Sequence, residues 1–411
     1  MGYVPVLLIC MASSLSGTNL KHTKAFNDRI VLDIIRQYGP LSRAQVARRS
    51  ALTAQTISNI TRRLLDQGLI VEGQRVSEGR GAPATLLSVK STGAYAIGLD
   101  LDRDHATGML MDLSGQVVQR RHHDLDFPSP DTAVTLLAAM AHTLLKAEGL
   151  TIDQVWGVGV CVPGPLTYNT DRHLLVSPSS FPGWERVALV DALEQHLDWS
   201  VYLERNDTAA AVGEYWYGVG RGLGSFFYVF LGSGLGGGFV LGGQPITGHT
   251  GNASGIGYTP WRTTLPPSDA AAFGIPHIGI AFDLPRLYRQ LAAIGVTAQS
   301  PHDVACLLPD TPLVHTWLDE AAEVLAGPLL TVEYLLDPEA LIVGGRWPSA
   351  LIDALLSRID AHQVSMSQPQ RERPALLRAS VGEDAAVLGA ATLAMHHHFA
   401  PSTDVLMKAT L

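Results

Sequence analysis

Residues 41–70, LSRAQVARRSALTAQTISNITRRLLDQGLI, have the pattern of two helices joined by a short turn. Ser42 can cap the first helix with its hydroxyl, and Gln45, three residues later, can reach back to the backbone of Ser42 in a capping box. We expect this helix to end near Ser50. Two short helices with so tight a connection are typical of a helix-turn-helix.

The second helix of this stretch has clear start and stop signals. Thr53 is placed to cap its first turn, and Gly68 can end it because glycine readily adopts the left-handed conformation at a helix C-terminus. Ile57, Ile60 and Leu64 recur at helical spacing, so we expect them to face inward.

The other face of the second helix is polar, and its side chains can donate to and accept from base edges and phosphates in a major groove. A small helical hairpin with a solvated polar face is the alternative interpretation. The side chains of the two helices that we predict to contact DNA are Ser42, Arg43, Gln55, Thr56, Ser58, Asn59, Arg62 and Arg63.

A wing is predicted behind these helices. Residues 69–71 and 85–89 each have the pattern of a short strand, and the segment between them places Arg75 and Arg80 among glycines and a proline. A Gly-Arg-Gly tip is narrow enough to lay Arg80 along a minor groove. The alternative is a plain flexible loop. Together the features favour a winged helix-turn-helix that binds double-stranded DNA.

Charge is unevenly distributed along the 411 residues. Residues 21–90 carry 12 Lys and Arg against 5 Asp and Glu, a net charge of +7, and the rest of the chain carries 17 against 33, a net charge of −16. A basic head can gain affinity for DNA by counterion release, while an acidic body is repelled by it. The length exceeds that of one ordinary core and predicts two or three domains.

The three cysteines, Cys10, Cys161 and Cys306, are scattered without metal-ligand spacing. Neither a disulfide framework nor a zinc cluster is indicated, which fits a reducing cytoplasm. Residues 1–25 include a short apolar run that lacks the positive region of a signal peptide, so we interpret them as a disordered leader. No run approaches the roughly 20 apolar residues that span a bilayer, and we expect no membrane association.

The body of the chain reads as α/β. A support helix is predicted over residues 27–38, before the helix-turn-helix. After a hinge at residues 91–93, three strand patterns joined by tight turns predict an antiparallel meander. Helix and strand patterns then alternate. Residues 225–248 predict a hairpin around the glycines of residues 232–238, which is either a phosphate cradle or simply a turn.

Six motifs follow one another in the body of the chain: GLDL (98–101), GVCVPGPL (159–166), ERNDTAAAVGE (204–214), LGSGLGGG (231–238), GNASGIGY (251–258) and LIVGG (341–345). In these motifs and their order, the sequence from about residue 94 onward resembles the ROK family, named for repressors, open reading frames and kinases. The winged module in front resembles that of the family's transcriptional repressors. The resemblance implies a two-lobed, actin-like or hexokinase-type body of ribonuclease-H-like lobes with a ligand cleft between them.

The sequence departs from the family's kinases at the nucleotide loop. Where they have Asp-x-Gly-x-Thr, this chain has Asp100, Leu101, Asp102, Arg103 and Asp104. Carboxylates at the glycine and threonine positions repel a triphosphate, and the close backbone approach that glycine allows is lost. We therefore expect no ATP binding, no catalytic residues and no cofactor.

The sugar and zinc motifs also differ. The family's Glu-x-x-His element appears here as Gly255 and Tyr258, its cysteine cluster is missing, and Phe282 stands for a second sugar-binding glutamate. We expect no zinc. Asn206 and Asp207 remain at the end of a strand that faces the cleft, where the resemblance makes Asp207 the general base of the kinases. Both residues also fit a helix cap. We predict that these five residues line an effector site.

We therefore expect a homodimeric or tetrameric repressor of carbohydrate-related genes that binds an operator and a small effector, a sugar or sugar derivative. An effector-independent DNA-binding protein and a sugar kinase that also binds DNA stay as alternatives. The predicted boundaries are residues 1–25 for the leader, 26–90 for the winged module and 91–411 for the effector domain. Within the last, lobe one covers about 94–206 plus a C-terminal helix at 384–399, and lobe two covers about 207–383.

Overall fold

The computed structural model of the chain describes residues 20–76, 83–168, 174–176, 181–261, 276–366 and 372–399. Its N-terminal part is a winged helix-turn-helix. We call this DNA-binding module the reader. Its elements are α1 (Leu20–Tyr38), β1 (Leu41–Ser42), α2 (Arg43–Ser50), α3 (Ala54–Asp66), β2 (Ile70–Val76) and β3 (Ala84–Val89), with the strands in the order β1-β3-β2.

The helix signals in the sequence are confirmed. Ser42 and Gln45 form the capping box of α2, Thr53 accepts a hydrogen bond from the backbone N–H of Thr56 at the start of α3, and Gly68 has a φ of +70° after its end. The predicted inward residues of α3 are buried. They share one core with residues of α1, α2 and the wing, which includes Val31, Ile35, Val46, Ile57, Ile60, Leu64 and Leu87.

Two boundaries of the reader differ from prediction. The support helix begins at Leu20, so residues 20–25 are helical and not part of a disordered leader, whereas residues 1–19 lie outside the described part. Strand β2 continues to Val76, past the predicted end at residue 71, because its polar residues pair with β3 across a bulge between Glu72 and Arg75. Arg75 therefore lies on a strand and not in the loop.

Lobe one is a five-stranded sheet whose predicted meander is confirmed. β4, β5 and β6 pair antiparallel, and β7 and β10 extend the sheet in parallel on the other side of β4. The elements are β4 (Tyr95–Leu101), β5 (His105–Asp112), β6 (Val117–Asp124), α4 (Pro130–Glu148), β7 (Val155–Val162), β8 (Leu166–Tyr168), β9 (Leu174–Val176), α5 (Leu189–Glu194) and β10 (Val201–Arg205).

Lobe two is a second five-stranded sheet, in the order β13-β12-β11-β14-β15, with its own core. The glycines of residues 232–238 lie in and after the turn of the predicted hairpin β11–β12. The elements from β10 onward are α6 (Asn206–Tyr217), β11 (Ser225–Leu231), β12 (Leu235–Leu241), β13 (Gln244–Pro245), α7 (Leu284–Ala293), α8 (Pro301–Leu307), α9 (Pro312–Leu336), β14 (Ala340–Gly345), α10 (Ser349–Met366), β15 (Ala375–Arg378) and α11 (Ala385–Phe399).

Helices α6 and α11 pack tightly against each other and join the two lobes. A Cβ on Gly389 would lie 1.7 Å from the carbonyl oxygen of Ala209, and one on Gly213 would lie 2.2 Å from that of Ala385. Because only glycine permits so close an approach, these two positions set the crossing of the helices. The pair contacts strands of both sheets, so α6 lies at the centre of the body.

The reader is not an isolated domain. Its core continues into lobe one and α11, and its helix α1 packs on α11 and on the C-terminal end of α6. The body residues that share the reader's core are Ala94, Ala96, Met111, Leu113, Ala391, Ala394, Met395 and Phe399. None of the helices in the described ranges is long and apolar enough to cross a membrane.

Candidate functional site

The first candidate site is the exposed face of α3. Gln55, Asn59 and Arg62 are exposed at positions i, i+4 and i+7, and the Gln55 amide lies 3.5 Å from the Asn59 amide oxygen. Thr56 and Ser58 are half-buried beside them. The helix thus presents a polar face of hydrogen-bonding side chains while its apolar face forms the core.

Three residues predicted to contact DNA are held by the protein itself. Ser42 is 5% exposed and is used as the cap of α2. Arg43 forms an ion pair with Glu72 of the wing at 2.8 Å, and Arg63 forms an ion pair with Asp28 of α1. These interactions fasten α2 to the wing and α3 to α1, and contact of these side chains with DNA stays a prediction.

Other basic side chains surround the face. Arg75 is exposed on β2, whereas the wing-tip residue Arg80 lies outside the described residues. Arg48 and Arg49 are exposed in the last turn of α2 and were missed by the sequence analysis. The signal for these two residues was a pair of basic side chains in the last turn of the first helix, next to the turn of the helix-turn-helix. Cations at that position also interact favourably with the negative end of the helix dipole.

The second candidate site is a cavity of about 110 Å³ between the lobes. It lies beyond the C-terminal ends of β4 and β10, beside the glycine hairpin β11–β12. The residues that line it are Asp102, Arg103, Pro163, Gly164, Arg205, Asn206, Asp207, Phe230, Gly232, Ser233, Gly234, Leu235, Gly236, Gly257, Tyr258, His277 and Asp283.

Arg103 extends from lobe one to the glycine hairpin. Its Nε donates to the Ser233 hydroxyl at 3.1 Å, and its guanidinium lies 3.6 Å from the Asp102 carboxylate. The side chain therefore occupies the space beside the hairpin that a phosphate would need. Burial raises the pKa of the Asp102 carboxyl. From its sequence, Asp102 was expected only to repel nucleotides. That Asp102, Arg103 and Ser233 together form the floor of the cavity was not predicted.

Asp104 turns away from the cavity. Its carboxylate lies 2.6 Å from Nδ1 of His105, and Asp100 lies 3.1 Å from Nε2 of the same ring. Burial alone would lower the pKa of His105, but the two carboxylates raise it to about 9. A protonated His105 offsets the negative charge of the two carboxylates beside it. Of the two carboxylates that were predicted to repel a nucleotide, Asp102 and Asp104, only Asp102 lines the cavity.

Asn206 and Asp207 begin α6 at the cavity, and both are nearly buried. The two Asp207 oxygens accept hydrogen bonds from the backbone N–H groups of Thr208 at 2.7 Å and Gly237 at 3.1 Å, and Arg205 lies 3.3 Å away. These bonds hold the carboxylate in place, and both Asn206 and Asp207 line the cavity. Asn206 instead donates toward Asp102 at 3.4 Å.

Of the other three predicted effector residues, Tyr258 lines the cavity, whereas Phe282 and Gly255 do not. Tyr258 lines the cavity with half of its surface exposed, and its hydroxyl donates to the carbonyl of Gly164 at 3.2 Å. Phe282 is fully buried in lobe two with its ring 6.0 Å from that of Trp347, so its prediction as a cleft residue is wrong. A side chain without a polar atom is more stable in that core than in a polar cleft. Gly255 lies behind Tyr258 and does not line the cavity.

A loop of lobe two reaches lobe one beside the cavity. The Asn252 amide donates to the carbonyl of Leu166 at 2.6 Å and accepts from its N–H at 2.8 Å. Arg205 donates to the carbonyl of Ala253 at 2.5 Å. Together with the contact between Tyr258 and Gly164, these bonds fasten residues 247–258, named here the lid, to lobe one.

A metal site has no support in the described ranges, where no group of three or more His, Cys, Asp and Glu is arranged to hold an ion. Nδ1 of His277 donates to the carbonyl oxygen of Gly257 at 2.9 Å, and burial lowers the pKa of this histidine. It therefore acts as a loop histidine.

Two sequence profiles match the chain. The profile of the ROK family matches residues 96–272, and the profile described as a winged helix-turn-helix DNA-binding domain matches residues 27–71. The second profile covers the helices of the reader, and the first covers lobe one, the lid and the start of lobe two.

Several curated proteins are similar in sequence. An uncharacterized protein, y4fQ, of Sinorhizobium fredii is 28% identical over 338 residues, which cover 82% of each chain. The xylose repressor of Bacillus subtilis is 27% identical over 236 residues, and the N-acetylglucosamine repressor of Escherichia coli O157:H7 is 28% identical over 247 residues. These alignments cover 57% and 58% of this chain, and 60% and 58% of the respective repressors.

Solved structures share the fold. A ROK family transcriptional regulator, described as a homolog of the Escherichia coli MLC protein, superposes with a TM-score of 0.75 at 22% identity over 92% of this chain and 98% of its own. A ROK family glucokinase from Streptomyces griseus, in complex with glucose and AMPPNP, superposes with a TM-score of 0.61 at 22% identity over 73% of this chain and 99% of its own.

Proposed function

Because this chain carries a ROK-family domain behind an N-terminal winged helix-turn-helix, we propose that it is a DNA-binding transcriptional repressor that responds to a sugar or sugar derivative. The observation that carries the proposal is the exposed polar face of α3 within a reader whose core continues into the ligand-binding body. Relatives whose names are xylose repressor and N-acetylglucosamine repressor support it. The genes it controls would be carbohydrate-related.

The DNA target in this proposal is a roughly palindromic, AT-containing operator bound by a homodimer. One reader offers one recognition helix, and a two-fold axis doubles its contacts at half-sites spaced by whole helical turns. Selection of binding sites from random DNA, followed by footprinting, tests the proposal. Protection without a dyad, or unchanged base preference after Asn59→Ala, would contradict it.

The proposal includes the absence of kinase activity. The side chain of Arg103 occupies the space beside the glycine hairpin, and the Asp207 carboxylate is held by two backbone N–H groups, so neither a phosphate site nor a free base is ready. The alternative, a sugar kinase, is tested by a coupled assay with ATP and glucose, xylose or N-acetylglucosamine. Turnover that Asp207→Asn abolishes, or zinc at one equivalent per chain, would favour that alternative.

The effector in this proposal is a modified sugar or an aryl glycoside whose apolar face stacks on Tyr258. Phe282 cannot share this role because it is buried. Stacking on an exposed aromatic ring suits one face of a pyranose or an aryl group. Calorimetry with plain sugars beside their aryl glycosides tests the preference, and micromolar affinity for a plain sugar that Tyr258→Ala does not change would contradict it.

Ligand binding would alter operator affinity only if it favours one arrangement of the lobes over the other. The continuous core between reader and lobe one would then carry the change to α3. The alternative of an effector-independent DNA-binding protein predicts an operator affinity that no cavity ligand alters. Operator titrations with and without each ligand separate the two.

A further inference from the structure

The polar side chains of the cavity are concentrated on its floor. Asp102 is 3% exposed, Asn206 7% and Ser233 9%, yet all three line the cavity. Oδ1 of Asp102 accepts a hydrogen bond from the backbone N–H of Arg103 at 2.7 Å, and the Asn206 amide and the Ser233 hydroxyl each lie 3.4 Å from Oδ2. These two long contacts are weaker than optimal hydrogen bonds, so they leave acceptor capacity on Oδ2.

Other polar side chains of the lining are engaged by the protein. The Tyr258 hydroxyl, Nδ1 of His277 and one carboxylate oxygen of Asp283 each form a hydrogen bond with the backbone. A hydroxylated ligand would therefore meet most of its side-chain hydrogen-bond partners on the floor, beside the glycine hairpin.

We propose that Asp102 and Asn206 together bind adjacent hydroxyl groups of an uncharged sugar or polyol. This assignment rests on the proposed function and places the polar end of the effector on the cavity floor, beside Ser233. The Asp102 carboxylate accepts from a hydroxyl through Oδ2, and the Asn206 amide supplies both a donor and an acceptor. Adjacent hydroxyls on one ring match that pair.

The charges around the cavity decide the class of ligand. Asp102 and Asp283 line it together with Arg103, and the charge of Arg205 is offset by Asp207 at 3.3 Å. The lining side chains, when ionised, carry a net charge of −1, which disfavours a phosphorylated or carboxylated sugar over its neutral counterpart. The site thus takes a neutral diol in preference to an anion.

The test compares wild type, Asp102→Asn and the control Asp126→Asn. Asp126 is an exposed carboxylate on the same lobe, after β6. Each protein is titrated by calorimetry and thermal shift with xylose, glucose, N-acetylglucosamine, their 4-nitrophenyl glycosides and glucuronate. Hydrogen bonds to a charged acceptor support the expectation that Asp102→Asn weakens the tightest neutral ligand about 10- to 100-fold, while the control binds unchanged.

Each outcome bears on the assignment. Three results would overturn it. The first is unchanged affinity in Asp102→Asn, and the second is tighter binding of glucuronate than of glucose by the wild type. The third is no binding of any neutral ligand at about 10 mM, a concentration at which even a weak effector would bind. If Asp102→Asn fails to fold, shown by the loss of its cooperative melt, Asn206→Ala must give the same loss of affinity. Operator binding by the wild-type preparation is measured in parallel, so a failed ligand assignment is distinguished from a failed DNA-binding proposal.

Discussion

The guanidinium carbon of Arg36 lies 4.1 Å from the centre of the Trp216 ring, which ties α1 of the reader to the C-terminal end of α6. The same group lies 4.9 Å from the Phe399 ring of α11. The N-terminal residue of α6, Asn206, lines the cavity, and a helix of this length spans about 18 Å. One helix therefore touches the candidate effector site at one end and the reader at the other.

The His396 ring completes this cluster, 5.0 Å from Trp216. Burial, with added repulsion from Arg36, lowers the pKa of His396 to about 3. The ring is therefore neutral at physiological pH and does not repel the guanidinium. The cluster can hold the reader against the body without a change of charge between pH 5 and 8.

Replacing Arg36 by Ala is expected to weaken the docking of the reader. Loss of a partly buried cation–π contact should cost about 1–2 kcal/mol of unfolding free energy, measured by urea denaturation. Arg49→Ala is the matched control, because Arg49 covers the exposed ring of Tyr38 at 4.4 Å and should cost about 0.5 kcal/mol or less. Equal costs for the two variants would refute the role given to Arg36.

Arg62 and Arg63 are neighbours in sequence but should behave differently. Arg62 is exposed on the polar face of α3, so Arg62→Ala should weaken operator binding and reduce the slope of log affinity against log salt by about 1. Arg63 is paired with Asp28, so Arg63→Ala should lower stability and leave the salt slope unchanged. Salt titrations of operator binding, beside melting curves, separate the two effects. A smaller slope for Arg63→Ala would return that residue to the DNA-contacting set.

The exposed position of Arg62 could be predicted from the sequence, whereas the ion pair of Arg63 could not. Helical periodicity and caps were sufficient to place α2, α3 and their buried residues, because those features depend on near neighbours in the chain. They could not show that Arg63 pairs with Asp28, since the two residues are 35 positions apart in the chain. The outward-facing residues 55, 59 and 62 needed only the period of the helix.

The cavity was harder to predict for the same reason. Its floor combines Asp102 from the end of β4, Asn206 from the start of α6 and Ser233 from the hairpin. Motif resemblance placed Asn206 in the cleft, but the position of Asp102 depends on how the two lobes meet. Phe282 was misplaced because a motif position gives no information about the direction of a side chain.

His105 should make stability depend on pH above neutrality. Its pKa rises from an ordinary 6.5 to about 9 in the folded protein, between Asp100 and Asp104. A raised histidine pKa stabilises the fold fully below the unfolded value, and the stabilisation is lost as pH rises through the folded one. Unfolding free energy should therefore fall by about 3 kcal/mol between pH 6 and pH 10 from this group.

Urea denaturation at intervals of pH measures this effect. His105→Gln, which cannot titrate, should flatten that part of the profile, whereas His123→Gln, an exposed neighbour on β6, should leave the wild-type profile intact. A wild-type profile that matches that of His105→Gln would show that His105 is not protonated in the fold.

The lid should loosen when its amide latch is removed. The Asn252 amide forms two hydrogen bonds with the backbone of Leu166, and Asn252→Ala removes them, at a cost of about 1–2 kcal/mol for the attachment of the lid to lobe one. Amide hydrogen exchange in residues 247–258 should then become about tenfold faster or more, while exchange in the lobe cores stays constant. His249→Ala, an exposed change within the same lid, is the control and should exchange like wild type. Equal exchange in all three proteins would mean that Asn252 does not hold the lid, and that Arg205 and Tyr258 are sufficient to keep it on lobe one.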